Sequence, residues 1–496
     1  MIFLRILLTA IAGWSIANGG SVEPNWVLVS LGLCFWWYLF STASSTRLAV
    51  VESVLIWFLS SYLGLDWLTV IGEDARFALS LLVALGWGLI AWLLRQFDVN
   101  SLGNLRAAIL AGGVVVFVEF LAGRYPFGGF SWFRVSYLLA DSPLAFVSAW
   151  FGVGFFSFFT VFLAVFLVNH VSHRKNESFI QISFVLMIIA VWQFIPIPNF
   201  DRDVTAARMN VLAIQGGVPR VGLDFNSQRA AVLNNHVQGT ILADIDISTE
   251  LISKPDLVLW PENASDIDPF ITSGVSNLLQ QLAKRIDAPI LLGAVLREND
   301  YLRNASVLAT DKSIETVYIK QKLVPFGEYL PFRSYLEKWI NRFEKLPTDF
   351  KAGEVRGIVS INSDFDAGVL ICYEVAYDKY WEQISKDADV FLVQTNNATY
   401  GKTTQPFQQM RITTLYAIQE KSPVVVASTS GISAVINSDG SIKDMAPEFQ
   451  STYLSADLDL RSYRTLGSVV NLPLQYLLSL WIFLKVLMSL FRRKNG

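Results

Sequence analysis

The sequence predicts a membrane protein: eight transmembrane helices plus an extracytoplasmic α/β domain. Three observations predict it. The chain of 496 residues is 53% hydrophobic and only 16% charged, with a mean hydropathy of +0.42, too apolar for an ordinary soluble protein. The apolar excess is confined to residues 1 to about 197 and 474 to 491. Between them, short apolar runs alternate with amphipathic stretches, the pattern of α/β folding.

Seven apolar stretches of roughly bilayer-spanning length precede residue 197, at 3–18, 25–42, 53–71, 77–94, 107–122, 144–168 and 178–196; an eighth, 474–491, follows the α/β region. Arg5 before a short apolar core also fits a signal peptide, but the six spans after it favour a retained first helix. Basic residues set the orientation. With Met1 inside, the inner loops carry Arg47, Arg95, Arg106, Arg174, Lys175, Arg492, Arg493 and Lys494. The outer loops carry Glu23, Glu73, Asp74 and Arg76, and then Arg124 and Arg134, which weaken the bias without reversing it. Both termini are expected inside. The expected domains are a seven-helix membrane domain over 1–200, an outer α/β domain over 205–465, and a helix with a basic tail over 472–496. Glu119, near the outer end of the fifth span, needs a partner in lipid, and Arg124 is the nearest candidate. Net charge is −3, which gives no general attraction to nucleic acid.

Strands are expected at 210–217, 256–262, 289–296, 357–362, 367–374, 389–397 and 423–430, and helices at 227–244, 275–286, 376–386 and 405–420. Several strands end in polar clusters: "WPENAS", "LICYEV" and "VQTNNAT". Strand ends are where α/β folds gather side chains around a ligand. Cys372 closes one of them. It is either a small buried hydrophobe or a nucleophile. Its only sulfur partner in sequence, Cys34, falls within the second span, so Cys372 is expected to be a lone thiol on the side where cysteines usually pair.

Histidine chemistry is nearly excluded. Of three histidines, His170 and His173 fall at the inner end of the sixth span, and His236 lies within an expected helix. A zinc site needs three or four N/S ligands, which the outer domain lacks, so no metal and no cofactor are implied. No Walker-type phosphate loop occurs. What remains is a thiol served by carboxylate and ammonium. A neighbouring cation favours the thiolate, and a carboxylate can accept its proton. Glu262 and Cys372 end two expected strands and Lys320 follows an apolar run, but spacing alone does not bring the three together.

"WPENA", "YIKQKLVPFGEYLPF" and "GVLICYE" occur in that order and resemble the glutamate, lysine and cysteine signatures of the nitrilase (carbon–nitrogen hydrolase) superfamily. Their fuller forms, with "FVEFLAGRYPFGGFSWFRVSYLLADSPLA" between the fifth and sixth spans, resemble the apolipoprotein N-acyltransferase family across essentially the whole chain. The resemblance implies a nitrilase-like αββα sandwich and a catalytic triad of Glu262, Lys320 and Cys372, supported by Glu328, Tyr373 and Glu374. It also implies a membrane phospholipid as acyl donor, a diacylglyceryl-modified apolipoprotein as acceptor, a cysteine thioester between them, and residence in the bacterial inner membrane. Two departures stand out. Ser131 replaces a proline common in the membrane-loop motif, and a tryptophan found in some members has no counterpart near Asp224 and Phe225.

The segment 322–346 interleaves Phe326, Tyr329, Phe332, Tyr335, Trp339 and Phe343 with Arg333, Lys338 and Arg342, a composition suited to a lipid interface. Packing on the domain core is the alternative. Phe326, Trp339, Phe343 and Asn396 are the expected lipid or substrate contacts. Glu328 is expected to orient Lys320; Tyr373 and Glu374 could equally hold the turn after the nucleophile. Two other functions fit part of the pattern: a membrane-tethered amidase passing its acyl group to water, and a non-catalytic scaffold.

Overall fold

Long apolar stretches must close their backbone hydrogen bonds within themselves in lipid, which makes them helices; period-two apolar runs instead make strands. The computed structural model describes residues 2–172, 177–201, 208–218, 230–336, 348–363, 365–460 and 463–494. They divide into two compact units: residues 1–199, 403–419 and 465–496, and residues 200–402 with 420–464.

The first unit is helical. Among the described residues, six helices are long and apolar enough to cross a membrane: Ile2–Gly20, Thr46–Gly64, Glu73–Gln96, Asn104–Ala122, Val153–Ser172 and Leu466–Phe491. Two further apolar helices, Trp26–Ser41 and Glu177–Trp192, have 16 residues each. The third span begins earlier than expected because the Ser45 side chain caps it, accepting from Leu48 N–H at 3.2 Å. Gly152, with φ of 88°, divides the sixth into Val147–Phe151 and Val153–Ser172.

Several polar groups buried in this unit are paired. Glu119 does not bond Arg124. It takes Arg134 Nε at 3.4 Å and the Val135 N–H at 2.9 Å, while the Arg124 guanidinium lies over the Phe120 ring at 3.5 Å. The reason is geometric: Arg124 follows the helix end and folds back along it, donating to the Phe120 carbonyl. The helix Gln405–Glu420 also belongs largely here. Its Gln408 accepts from the indoles of Trp67 (3.1 Å) and Trp132 (2.8 Å) and donates to the carbonyls of Gly20 (2.7 Å) and Gly64 (2.6 Å).

The second unit holds two six-stranded sheets. Its strands are labelled β1 (Arg208–Gln215), β2 (Leu257–Leu259), β3 (Ile290–Glu298), β4 (Tyr301–Ala309), β5 (Ile314–Ile319), β6 (Ile358–Ser360), β7 (Asp366–Ile371), β8 (Val390–Thr395), β9 (Val424–Ser428), β10 (Ala434–Ile436), β11 (Ile442–Met445) and β12 (Thr452–Asp459). One sheet runs β12-β1-β2-β3-β4-β5 and the other β11-β10-β9-β8-β7-β6. Each has a parallel centre, β1-β2-β3 and β7-β8-β9. Side chains from both sheets, among them Val211, Leu259, Val369, Leu392 and Val425, share one buried core. The helices Ala231–Ser248 and Val275–Ile286 bury Val237, Leu279 and Ile286 against the outer face of the first sheet. The parallel strands β2, β7 and β8 are short and almost wholly buried. Their ends therefore carry the polar residues.

Candidate active site

Glu262 lies three residues past the end of β2, where Gly293 of β3 lets the chain approach. A Cβ on Gly293 would stand 2.4 Å from the Pro261 oxygen and 2.6 Å from Glu262 Cα. The Gly293 N–H bonds Pro261 O at 3.1 Å, and Ser265 N–H bonds Gly293 O at 3.0 Å. Lys320 follows β5, and its N–H bonds the Asn304 carbonyl of β4 at 2.9 Å. Cys372 follows β7 with φ of 51°, a left-handed conformation that costs a non-glycine residue about 1 kcal/mol or more. It opens the short 3-10 turn Cys372–Ala376.

These ends meet around Lys320, which is 1% exposed. Its Nζ donates to Glu262 Oε1 at 3.0 Å and to Glu328 Oε1 at 2.9 Å. Asn304 Nδ2 bridges the same two oxygens at 2.7 and 2.9 Å. The remaining oxygen of Glu262 accepts the Asn396 N–H at 2.8 Å, and that of Glu328 accepts the Val324 N–H at 2.8 Å. Every one of these contacts presents a donor, so all four carboxylate oxygens act as acceptors. Burial opposes the lysine charge, yet Glu262, Glu328 and Cys372 outweigh it and hold the ammonium well above its usual range.

Cys372 is buried beside this pair. Burial first, then the Glu262 charge, push its thiol up to about 12, against the pull of Lys320 and a hydrogen bond from Thr395. The sequence offered two influences on this thiol, a cation that favours the thiolate and a carboxylate that can take its proton. Desolvation and two carboxylates outweigh the lysine, so the sulfur rests as a thiol beside them. The tyrosine Tyr400, after β8, interacts electrostatically with Cys372, Lys320, Glu262 and Glu328, and burial raises its phenol far above the ordinary value.

Glu374 holds the turn. Its Oε2 accepts the Ile371 N–H at 2.8 Å, and its Oε1 accepts Tyr318 Oη (2.8 Å), Gln321 N–H (2.7 Å) and Lys322 N–H (3.1 Å). It thus ties the residue before Cys372 to the segment carrying Lys320. Tyr373 is buried and accepts from the Tyr377 hydroxyl at 2.7 Å. Asn396 offers its N–H to Glu262, while its side-chain oxygen accepts from Thr429 Oγ1 at 2.7 Å. Phe326, with φ of 65°, and Phe332 are exposed. Trp339 and Phe343, like Asp224 and Phe225, lie outside the described residues. His236 is buried in Ala231–Ser248, its Nδ1 2.8 Å from the Val232 carbonyl, and is not among the groups around Cys372.

Three residues of the cluster escaped the sequence reading: Asn304, Thr395 and Tyr400. Asn304 had a weak signal, a lone amide in the strand "YLRNASVLA".

A family model described as Carbon-nitrogen hydrolase matches residues 224–467, and one described as Apolipoprotein N-acyltransferase N-terminal domain matches residues 21–166. The chain thus carries matches to both parts of the apolipoprotein N-acyltransferase architecture. It is similar to the apolipoprotein N-acyltransferase of Mycolicibacterium smegmatis, with 38% identity over 51% of this chain and 44% of that protein. The family member from Haemophilus ducreyi is 26% identical over 99% of this chain and 89% of its own length. Among solved structures, Saccharomyces cerevisiae Nit3, a member of branch 10 of the nitrilase superfamily, matches 52% of this chain and 93% of its own at 16% identity, with a TM-score of 0.40. The N-terminal match covers most of the apolar helices, and the hydrolase match covers the strands of the two sheets other than β1, with Glu262, Lys320 and Cys372 among its residues.

Proposed function

We propose that this protein transfers a fatty acyl group from a membrane phospholipid to the N-terminal α-amine of diacylglyceryl-cysteine lipoproteins, through a thioester on Cys372. The observation that carries the reading is the buried Lys320 ammonium bridging Glu262 and Glu328 beside a protonated thiol. In this scheme Glu262 takes the Cys372 proton as sulfur attacks the ester carbonyl, so charge moves rather than appears. Lys320 Nζ and the Tyr373 N–H stabilise the oxyanion, where one well-aimed donor is worth about 3–4 kcal/mol. Glu262 returns the proton to the departing lysophospholipid. The acceptor amine then attacks the thioester, Glu262 relays its proton to sulfur, and amide and thiol result.

The same reading takes residues 1–200 and 472–496 as eight spans of the bacterial inner membrane, with 205–465 on its extracytoplasmic face. The six long apolar helices, the two 16-residue apolar helices and the basic inner loops support it. The segment 322–346 would meet lipid, with Phe326 and Phe332 already exposed.

The test is intact-protein mass spectrometry. Purified protein mixed with phosphatidylethanolamine vesicles should gain one fatty acyl mass on Cys372, and a diacylated lipopeptide should remove it and become acylated. An adduct released at the same rate without lipopeptide would mean transfer to water instead. No adduct, with Cys372→Ala still supporting lipoprotein maturation, would end the enzymatic reading.

A further inference from the structure

The acyl-transfer scheme uses Glu262, Lys320 and the turn after Cys372, and leaves one close contact of the sulfur unused. Thr395 is the last residue of β8, next to β7 in parallel pairing; Gln394 stands opposite Ile371, the residue before the nucleophile. Its side chain is buried, 1% exposed, and its hydroxyl hydrogen-bonds Cys372. The following peptide does a second job, since the Asn396 N–H holds Glu262 Oε2 at 2.8 Å. β9 fixes this pair of residues from the other side. The Thr429 N–H bonds the Thr395 carbonyl at 3.2 Å, and Thr429 Oγ1 bonds Asn396 Oδ1 at 2.7 Å. One dipeptide therefore grips nucleophile and base together.

The charges around the sulfur explain what such a grip is for. Glu262 and Glu328 disfavour negative sulfur, Lys320 favours it, and the Tyr400 phenol faces the same cluster. Lys320 is already shared between the two carboxylates. As the thiol loses its proton, a neutral hydroxyl aimed at sulfur gains strength, because hydrogen bonds to charged acceptors are roughly twice as strong as those between neutral groups. The gain falls on the developing thiolate and not on the resting thiol, which is the condition for acceleration.

We propose that Thr395 is a positioning residue for the nucleophile: its hydroxyl donates to Cys372 Sγ as charge develops, while its peptide link to Asn396 keeps Glu262 within reach of the departing proton. This rests on the acyl-transfer reading for its purpose, but not for its chemistry.

The experiment measures alkylation of Cys372 by iodoacetamide in the full-length protein in detergent, from pH 7 to 10, by mass spectrometry. Thr395→Val, nearly isosteric, should slow alkylation about tenfold across that range and move the rate curve to higher pH, with little change in melting temperature. Thr395→Ser should restore the rate to within about twofold. Thr395→Ala, which cannot overpack the site, carries the same expectation as valine and stands in for it should valine impair folding. Alkylation of the valine or alanine variant at the wild-type rate would overturn the proposal, as would a serine variant as slow as valine. Acyl-adduct formation from phospholipid is followed in parallel. If alkylation responds as expected while even the wild-type protein forms no adduct, the acyl-transfer reading fails and the role of Thr395 stands.

Discussion

Lys320 carries more of this site than its single charge suggests. It stands between two carboxylates that would otherwise face each other in a buried cavity, with Asn304 as a second bridge between them. Lys320→Met should therefore fail twice. Removing one partner of a buried ion pair typically costs about 3–5 kcal/mol, and losing an oxyanion donor costs roughly a hundred- to a thousandfold in rate. Thermal unfolding and single-turnover acylation of Cys372 measure the two losses separately. A variant that keeps its stability but loses turnover would show that the carboxylates relax apart. At this scale the sequence was partly legible. The motifs pointed to Glu262, Lys320 and Cys372 because acids, a lysine and a thiol at the ends of apolar runs are costly unless used. Asn304 and Thr395 were not legible, since an amide or a hydroxyl in a strand is unremarkable until the strand facing it is known. Nor was the protonation of the thiol. The motifs suggest a cation to accompany Cys372, but only the fold reveals that two carboxylates share that cation first.

At the scale of elements, strands ending in polar residues read clearly from the sequence, and β1, β7, β8 and β9 fall within a few residues of expectation. The hairpin of β4 and β5 and the strands β10 to β12 did not: β4 with β5 and β10 with β11 are antiparallel pairs of near neighbours in sequence, while β12 returns to pair with the distant β1. The close approach at Gly293 was also hidden, as a glycine in a β run has several uses. It sets a sharp prediction. Gly293→Ala should displace the Pro261–Glu262 segment and lower acylation about a hundredfold, while overall folding, followed by circular dichroism, changes little. A fully active alanine variant would mean that the segment yields without moving the carboxylate. His236 supplies a second prediction. Burial holds its imidazole down to about 4, whereas the unfolded chain binds a proton near 6.5. Below that value the unfolded state gains protons that the folded state refuses. Stability should thus fall as pH drops from about 6.5 to 4, by roughly 3 kcal/mol in all. His236→Gln should flatten this slope in urea titrations at a series of pH values.

For the whole molecule, the spans were the most legible feature, since twenty apolar residues in a row have few alternatives. The exceptions follow from local chemistry: the Ser45 cap moved one helix start, and Gly152 split another helix. Chain order alone could not foretell that residues 403–419, written within the α/β sequence, would join the helical unit. Their glutamines and threonines are buried there, a polar helix accepted because the Gln408 side chain finds partners in Trp67, Trp132, Gly20, Gly64 and Thr404. The proposed orientation has a direct check. Cysteine placed at exposed Ser313 should react with a membrane-impermeant maleimide in intact spheroplasts, and cysteine at exposed Ser101 only after permeabilisation. The opposite result would invert the topology.

A protonated sulfur has one more consequence. Peroxides and small disulfides consume thiolates, and a thiol that ionises only near 12 offers them almost nothing to consume at neutral pH. On the proposed mechanism the idle protein would be shielded from sulfenic acid formation and mixed disulfides: burial first, then the carboxylate that would draw the proton off sulfur for attack on an ester, keep it protonated until then.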